Sequence, residues 1–313
     1  MNLRQIDLQK RKIEAKHLKP IAAIFKNMNK DALVLYKATK NIPADKIAAN
    51  YTLEFTKVVR DAMRESIGTF GFIERNNLTI KQNKSIDAAV TEEELRKIND
   101  EFAKEAITFI ATEAQRQAFF IEKTNAEQLT RIQQDALIVN AQKQAKLQSL
   151  IDDLTAKING IKFSAFMTGE QVNQNSINAL TAKLERIKTE LNLVKQKQNE
   201  DIANYIEFNL LAKEEARTQL IAEMSVGIAE SWAREKEVLM LAIALGEEDV
   251  QKKAWRTNVD GKERHNHLIA NGQIVGINQK FIVGGYPANY PRDPNLPMKE
   301  LANCRCGVEY IKS

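Results

Sequence analysis

Four residues near the C-terminal end carry side chains suited to holding a metal ion. His265 and His267 form an H-x-H pair, and Cys304 and Cys306 form a C-x-C pair. Two imidazoles and two thiolates are the borderline and soft donors that tetrahedral Zn²⁺ prefers. The spacing differs from the commoner C-x₂₋₄-C knuckle, and residues i and i+2 on a strand need a bulge before they chelate one ion. The same residues also fit a metal-free arrangement of two small buried thiols and a hydrogen-bonded histidine. Two cysteines this close together are no disulfide framework and suit a reducing compartment or a metal site.

A second constellation overlaps the first. Asp260, Arg264 and His267 stand at i, i+4 and i+7, one face of a helix if that segment is helical. In nuclease or transferase chemistry His267 would be the general base and Arg264 the clamp on a phosphate. Neither a second catalytic carboxylate, nor a glycine-rich phosphate cradle, nor an activated nucleophile accompanies them. The expectation is therefore an internal polar cluster, with Asp260 paired to Arg264 and His267 anchoring a loop, and a chain that is not an enzyme. A metal-dependent nucleic-acid-processing enzyme using Arg264 and His267 is the alternative.

These residues must be positioned by the last sixty or so residues. Asn271-Gly272 is a tight-turn dipeptide, Gly284-Gly285 a second flexible point, and Gln273–Ile277, Lys280–Val283 and Gly307–Ile311 are short β-prone runs. A small α+β or loop-rich module follows. So small a unit buries little surface and needs a staple or a neighbour to lean on.

Composition separates this tail from the rest. Residues 251–313 hold ten Lys/Arg against five Asp/Glu, so the whole excess of +5 lies there, and residues 1–250 balance at 36 against 36. The tail also has both cysteines, four of six prolines and two of three histidines. A basic tail of this kind is the place to look for duplex DNA contact. The longest apolar run, Val238 to Leu245, is far short of the ~20 residues that span a bilayer. The charged N-terminal dozen leads into no apolar segment of the signal-peptide kind. We expect a soluble protein made in a cytoplasm, with no membrane association and no small-molecule substrate.

The first 250 residues read as mainly α-helix, rich in straight-chain residues and poor in Gly and Pro. Residues 1–75 suggest several shorter helices broken near Pro20, at Asn41-Ile42-Pro43 and around Gly68–Gly71. A polar segment, Asn76 to Ser85, then leads to a capping box at Thr91–Glu94 that should start a long helix, roughly 105 Å if unbroken to Gly160. In its later part Leu147, Leu150, Leu154, Ile158 and Ile161 form one stripe. Ile177, Leu180, Leu184, Ile187, Leu191 and Val194 then recur at steps of 3 and 4, a 3.5-residue repeat. The simplest assembly is an antiparallel, coiled-coil-like hairpin turning between Gly160 and Asn175. Phe163, Phe166 and Met167 at its tip either close the turn or dock another protein. The returning helix becomes densely apolar from Ile221 and should end at Gly246. Three segments result: an N-terminal helical module (1–90), the arm with its returning helix (91–250) and the C-terminal domain (251–313).

The last sixty residues resemble the minor head and head-morphogenesis proteins of tailed phages, of the Mu F and SPP1 type. The resemblance is carried in order and spacing by Lys253-Ala-Trp255-Arg-Thr257, Asp260, Arg264, His267, Asn271-Gly272 and Phe281, then by Tyr290-Pro291-Arg-Asp293-Pro294 and Asn303-Cys304-Arg305-Cys306. Ile228-Ala-Glu230 looks like the glutamate-containing helix that precedes the domain. The resemblance implies a minor capsid protein that assembles with the portal and capsid proteins at the capsid interior or portal vertex of the virion, with a role in genome packaging or ejection. His265 departs from the pattern, which leaves Cys304, Cys306 and His267, with Asp260 as a fourth group.

Overall fold

The structure is a computed structural model that describes residues 3–81, 92–169, 171, 173–246, 251–259 and 261–312. It is mainly α, with a long antiparallel helical hairpin and a small C-terminal α+β domain. The helices are α1 (Leu3–Thr39), α2 (Ala44–Lys81), α3 (Glu92–Thr168, 77 residues), α4 (Gln174–Gln196) and α5 (Gln198–Leu245). The polar stretch from Asn76 continues α2 as far as Lys81, while its remainder, Gln82 to Ser85, and the capping residue Thr91 lie outside the described residues. No helix among the described residues is long and apolar enough to cross a membrane.

The helices group into two compact units, one of residues 27–48 and 124–213, the other of residues 1–26, 49–123 and 214–313. In the first, the hairpin seam holds Leu147, Leu154 and Ile158 against Leu184, Ile187, Leu191 and Val194, with Ile151 and Leu180 at its margin. Leu150, expected in this stripe, is 40% exposed. Steps of 4, 3 and 4 through Leu147, Ile151, Leu154 and Ile158 place Ile151 in the seam instead. Lys143 meets Asp201 at 3.5 Å and Gln144 meets Gln198 at 3.2 Å, contacts that fix an antiparallel register. The helix does not stop at Gly160, where one glycine costs only ~1 kcal/mol in a helix interior. It runs to Thr168, and Gly169 ends it in the left-handed region at φ 69°. In the same unit the Asn41 turn is clamped by Gln133, which accepts from the Ile42 N–H and donates to Asn41 Oδ1.

In the other unit, α1 and α2 run on where breaks are expected. Pro20 lies inside α1 and is exposed, while Ile21, Ile24 and Phe25 are 0–4% exposed. Burying three large apolar side chains outweighs the ~3 kcal/mol cost of an interior proline. Gly68 and Gly71 are likewise inside α2. A Cβ at Gly71 would stand 3.0 Å from Phe102 Cζ and 3.3 Å from Glu237 Oε1, so this glycine lets α2 approach side chains of α3 and α5 closely. Trp232 of α5 stacks on Phe109 at 4.5 Å and 11°, and Ser66 donates to the Val226 carbonyl. As expected, α5 is buried from Ile221 onward and Gly246 caps it at φ 60°.

The C-terminal domain belongs to this second unit. Its elements are β1 (Gln251–Arg256), α6 (His265–Ala270), β2 (Ile274–Gly276), β3 (Phe281–Val283), β4 (Tyr286–Ala288), α7 (Met298–Leu301) and β5 (Gly307–Lys312). The central strand β1 pairs antiparallel with β2 and β5, setting Lys253 opposite Val275 and Tyr310. β3 and β4 form a hairpin whose Gly284 and Gly285 both have positive φ, as a primed turn requires. Three of the strands fall on the β-prone runs, but β1 is unforeseen because its inward residues include a lysine.

Candidate metal centre

Three buried charged residues of α5, Glu230, Arg234 and Glu235, point into the fold and seat the sheet. Lys253 of β1, 1% exposed, donates to Glu235 at 2.5 Å and to the Asn289 carbonyl at 2.9 Å, and Tyr310 of β5 donates to the other Glu235 oxygen at 3.1 Å. Arg234 donates to Glu230 at 3.2 Å and to the Val308 carbonyl at 3.0 Å. Lys10 of α1 lies 3.6 Å from Glu230. Burial opposes ionisation of Glu230, but Lys10, Arg234 and Arg292 outweigh it and hold the carboxyl below its usual range. Arg292 itself is buried, at φ 64°, with its guanidinium against Gly227, where any Cβ would collide with it. Beside it the Asp293 carboxylate accepts four hydrogen bonds of 2.7–2.9 Å from the backbone and side chains of Asn289 and Asn295, locking the loop.

Within this frame three donors converge. His267 comes from α6, Cys304 from the turn after α7, and Cys306 from the residue before β5. Asn303, at φ 54°, lets the chain turn back tightly enough to bring Cys304 in. His267 Nδ1 is 3.2 Å from Cys306 Sγ and 3.6 Å from Cys304 Sγ, and the three ligand atoms lie within 4.8 Å of one another. All three residues are buried and both cysteines are free thiols. This group can hold a metal ion.

The histidine is oriented from its far side. Its Nε2 is 3.1 Å from Glu300 Oε2, with both side chains no more than 3% exposed, and Glu300 Oε1 accepts from Asn266 at 3.0 Å. A carboxylate on the outer nitrogen fixes the tautomer that presents Nδ1 and makes it a more basic ligand. Gly284 makes room for this pair, since a Cβ there would stand 2.7 Å from Asn266 Nδ2 and 3.0 Å from Glu300 Oε1. Thr257 Oγ1 donates to the His267 carbonyl at 2.7 Å and lies 3.5 Å from Cys306 Sγ. The Trp255 indole stands edge-on to the imidazole, with centroids 5.9 Å apart.

The two thiols divide a proton unequally. A hydrogen bond from Cys306, supported by His267 and Arg292, holds Cys304 well below the usual thiol pKa against the opposing effect of burial. The same bond, together with burial, pushes Cys306 up. Burial disfavours imidazolium, but the Cys304 hydrogen bond and charge, with Glu300, raise His267 overall. A cation bound by all three would displace whatever protons they hold, so its affinity would depend on pH.

His265 is exposed at the first position of α6 and stands apart from the group, because i and i+2 diverge by about 200° on a helix. Arg264 precedes α6 in extended conformation and donates to the Ala302 carbonyl. The helical face expected for Asp260, Arg264 and His267 does not form, since α6 begins only at His265, and Asp260 lies outside the described residues. Phe163, Phe166 and Met167, in the last turns of α3, are 65%, 82% and 66% exposed. Glu300 and Arg292 are what sequence reasoning missed. The Met298-Lys-Glu-Leu301 turn reads as a solvated surface, and only the proximity of Glu300 to Cys304 hinted otherwise.

No protein-family model matches the chain and no solved structure matches it. An uncharacterized protein of Bacillus subtilis strain 168, YqbB, is 34% identical over 98 residues, which make up 30% of this chain. The chain likewise spans 30% of the length of that relative.

Proposed function

We propose that this chain is a minor capsid or head-morphogenesis protein of a tailed phage, in which the C-terminal domain is a zinc-stapled structural module and the helical hairpin is a docking arm. What supports the structural role is one observation: the residues that carry the resemblance are turned inward on one another. Lys253 serves Glu235, Thr257 serves His267, Asp293 is consumed by four hydrogen bonds, and His267 has both ring nitrogens engaged while 2% exposed. A general base needs an open nitrogen within reach of a substrate proton, so this geometry favours a scaffold over a nuclease. Zn²⁺ is the ion that two thiolates and an imidazole with a carboxylate behind it fit best.

Portal and capsid subunits are the proposed partners, and the exposed Phe163, Phe166 and Met167 are the proposed contact. The test is recovery of the chain with proheads when it is expressed alongside its portal and major capsid proteins. The wild type should sediment with proheads. Phe163→Ala/Phe166→Ala should lose most of that association while keeping a wild-type circular dichroism spectrum. Undiminished association of the double variant would remove the tip as the docking element.

A further inference from the structure

The tail is where net charge alone places duplex DNA contact, yet its cations are largely spent inside the fold. Lys253 donates to Glu235, Arg256 pairs with Glu309 at 2.7 Å, Arg264 donates to the Ala302 carbonyl and Lys299 lies over the Tyr286 ring. The balance of residues 1–250, in turn, conceals a local excess. Residues 1–26 hold seven Lys/Arg against two Asp/Glu, the same +5 as the tail.

Most of that excess stands on one face of α1. Lys12, Lys16, Lys19 and Lys26 follow at steps of 4, 3 and 7, within about 80° of one another around the helix and over roughly 21 Å of its length. All four are exposed, whereas Ile13, His17, Ile21, Ile24 and Phe25, turned away from them, are buried. Lys16 reaches Glu65 of α2 at 2.8 Å, and Glu65 also holds His17. Asp7 is taken by Arg11 and Asp61 by Arg64. Among the described residues Lys12, Lys19 and Lys26 pair with no carboxylate.

The make-up of this face selects its partner. Between Lys12 and Lys26 no large apolar residue is exposed, so a protein interface would lack its apolar centre and a membrane its apolar anchor. No aromatic ring is exposed there to stack unpaired bases, since Phe25 is buried. Lysine is a point charge without the planar fork that reads a base edge. Such a row suits the phosphate backbone of a duplex, held by charge without regard to sequence.

We propose that this face of α1 is a sequence-independent binding surface for duplex DNA, on which Lys12, Lys19 and Lys26 each meet a backbone phosphate. It lies outside the metal group and needs no ion.

Fluorescence anisotropy of a labelled mixed-sequence duplex, titrated with the full-length protein at several low salt concentrations, tests it. The logarithm of the binding constant should fall with the logarithm of salt at a slope of roughly −3, about 0.9 for each phosphate neutralised. Lys12→Gln/Lys19→Gln/Lys26→Gln should bring that slope to within about 1 of zero, and Lys12→Arg/Lys19→Arg/Lys26→Arg should restore it. A duplex of unrelated sequence should bind equally well, and Lys252→Gln/Lys280→Gln should leave the slope unchanged. Wild-type protein that fails to bind at low salt, or a glutamine variant with the wild-type slope, would overturn the proposal. So would a slope lost in Lys252→Gln/Lys280→Gln, which moves the contact to the tail, or binding lost in the arginine variant, which makes the lysines structural. Tighter binding to polyglutamate or to phosphatidylserine vesicles than to the duplex would assign the face to an acidic protein or a membrane and overturn it as well.

Discussion

The hairpin and the C-terminal domain solve the same problem, holding a thin layer of structure together, with opposite chemistry. The hairpin seam is aliphatic, and its Lys, Glu and Gln residues lie mostly on exposed outer faces, as in the Lys188–Glu185 pair. The C-terminal domain buries its charges: Lys253, Glu235, Glu230, Arg234, Arg292, Asp293 and Glu300 are all at most 7% exposed. An aliphatic seam tolerates imperfect geometry and gives way in proportion to the area removed. A buried ionic lattice depends on every partner being present, because one uncompensated charge costs far more than one lost contact.

The largest expected effect is therefore in the lattice. Lys253→Ala strands Glu235 in the interior and should destabilise the protein by roughly 3–5 kcal/mol in urea denaturation. Combining Lys253→Met with Glu235→Gln should recover most of that loss, and a double variant no better than the single would show that packing rather than charge is at stake. Next is acid. The Glu230 carboxyl is held below its ordinary value, so its contribution is complete above about pH 4.3 and is lost as pH falls through the depressed folded value. Glu230→Gln should flatten the stability–pH curve below that point, and an unchanged slope would show that other carboxylates carry the acid response. The smallest effect is on the arm, where Lys188→Ala should alter stability by no more than about 0.5 kcal/mol. A larger loss would mean that the outer face of the hairpin is not simply solvated.

The same contrast explains what could be read from the sequence. The seam was legible because its signal is local: six apolar residues at steps of 3 and 4 specify a helix and a partner, while in the facing stripe Leu150 was misplaced by one position and Ile161 lies outside the packed cluster. Breaks were misread where tertiary burial overrode local preference, as at Pro20, Gly68 and Gly71. In the C-terminal domain His267, Cys304 and Cys306 could be picked out by type, since few other roles suit that combination. Their supports could not. Ser231–Glu237 (SWAREKE) has the composition of a solvated helix face, and β1 begins Gln-Lys-Lys. Nothing local reveals that Glu235 and Lys253 will meet across 18 residues, or that Glu300 will reach His267 across 33.

The central claim is that His267, Cys304 and Cys306 together hold one metal ion that staples the C-terminal domain. Metal content of the full-length protein purified without chelator, measured by inductively coupled plasma mass spectrometry beside Cys306→Ser, tests it most directly. About one zinc per chain is expected in the wild type, with most of it lost in the variant and thiols that titrate freely only after the ion is removed. A wild-type protein that is folded, free of bound metal and indifferent to added zinc, with both thiols titrating at once on denaturation, would contradict it.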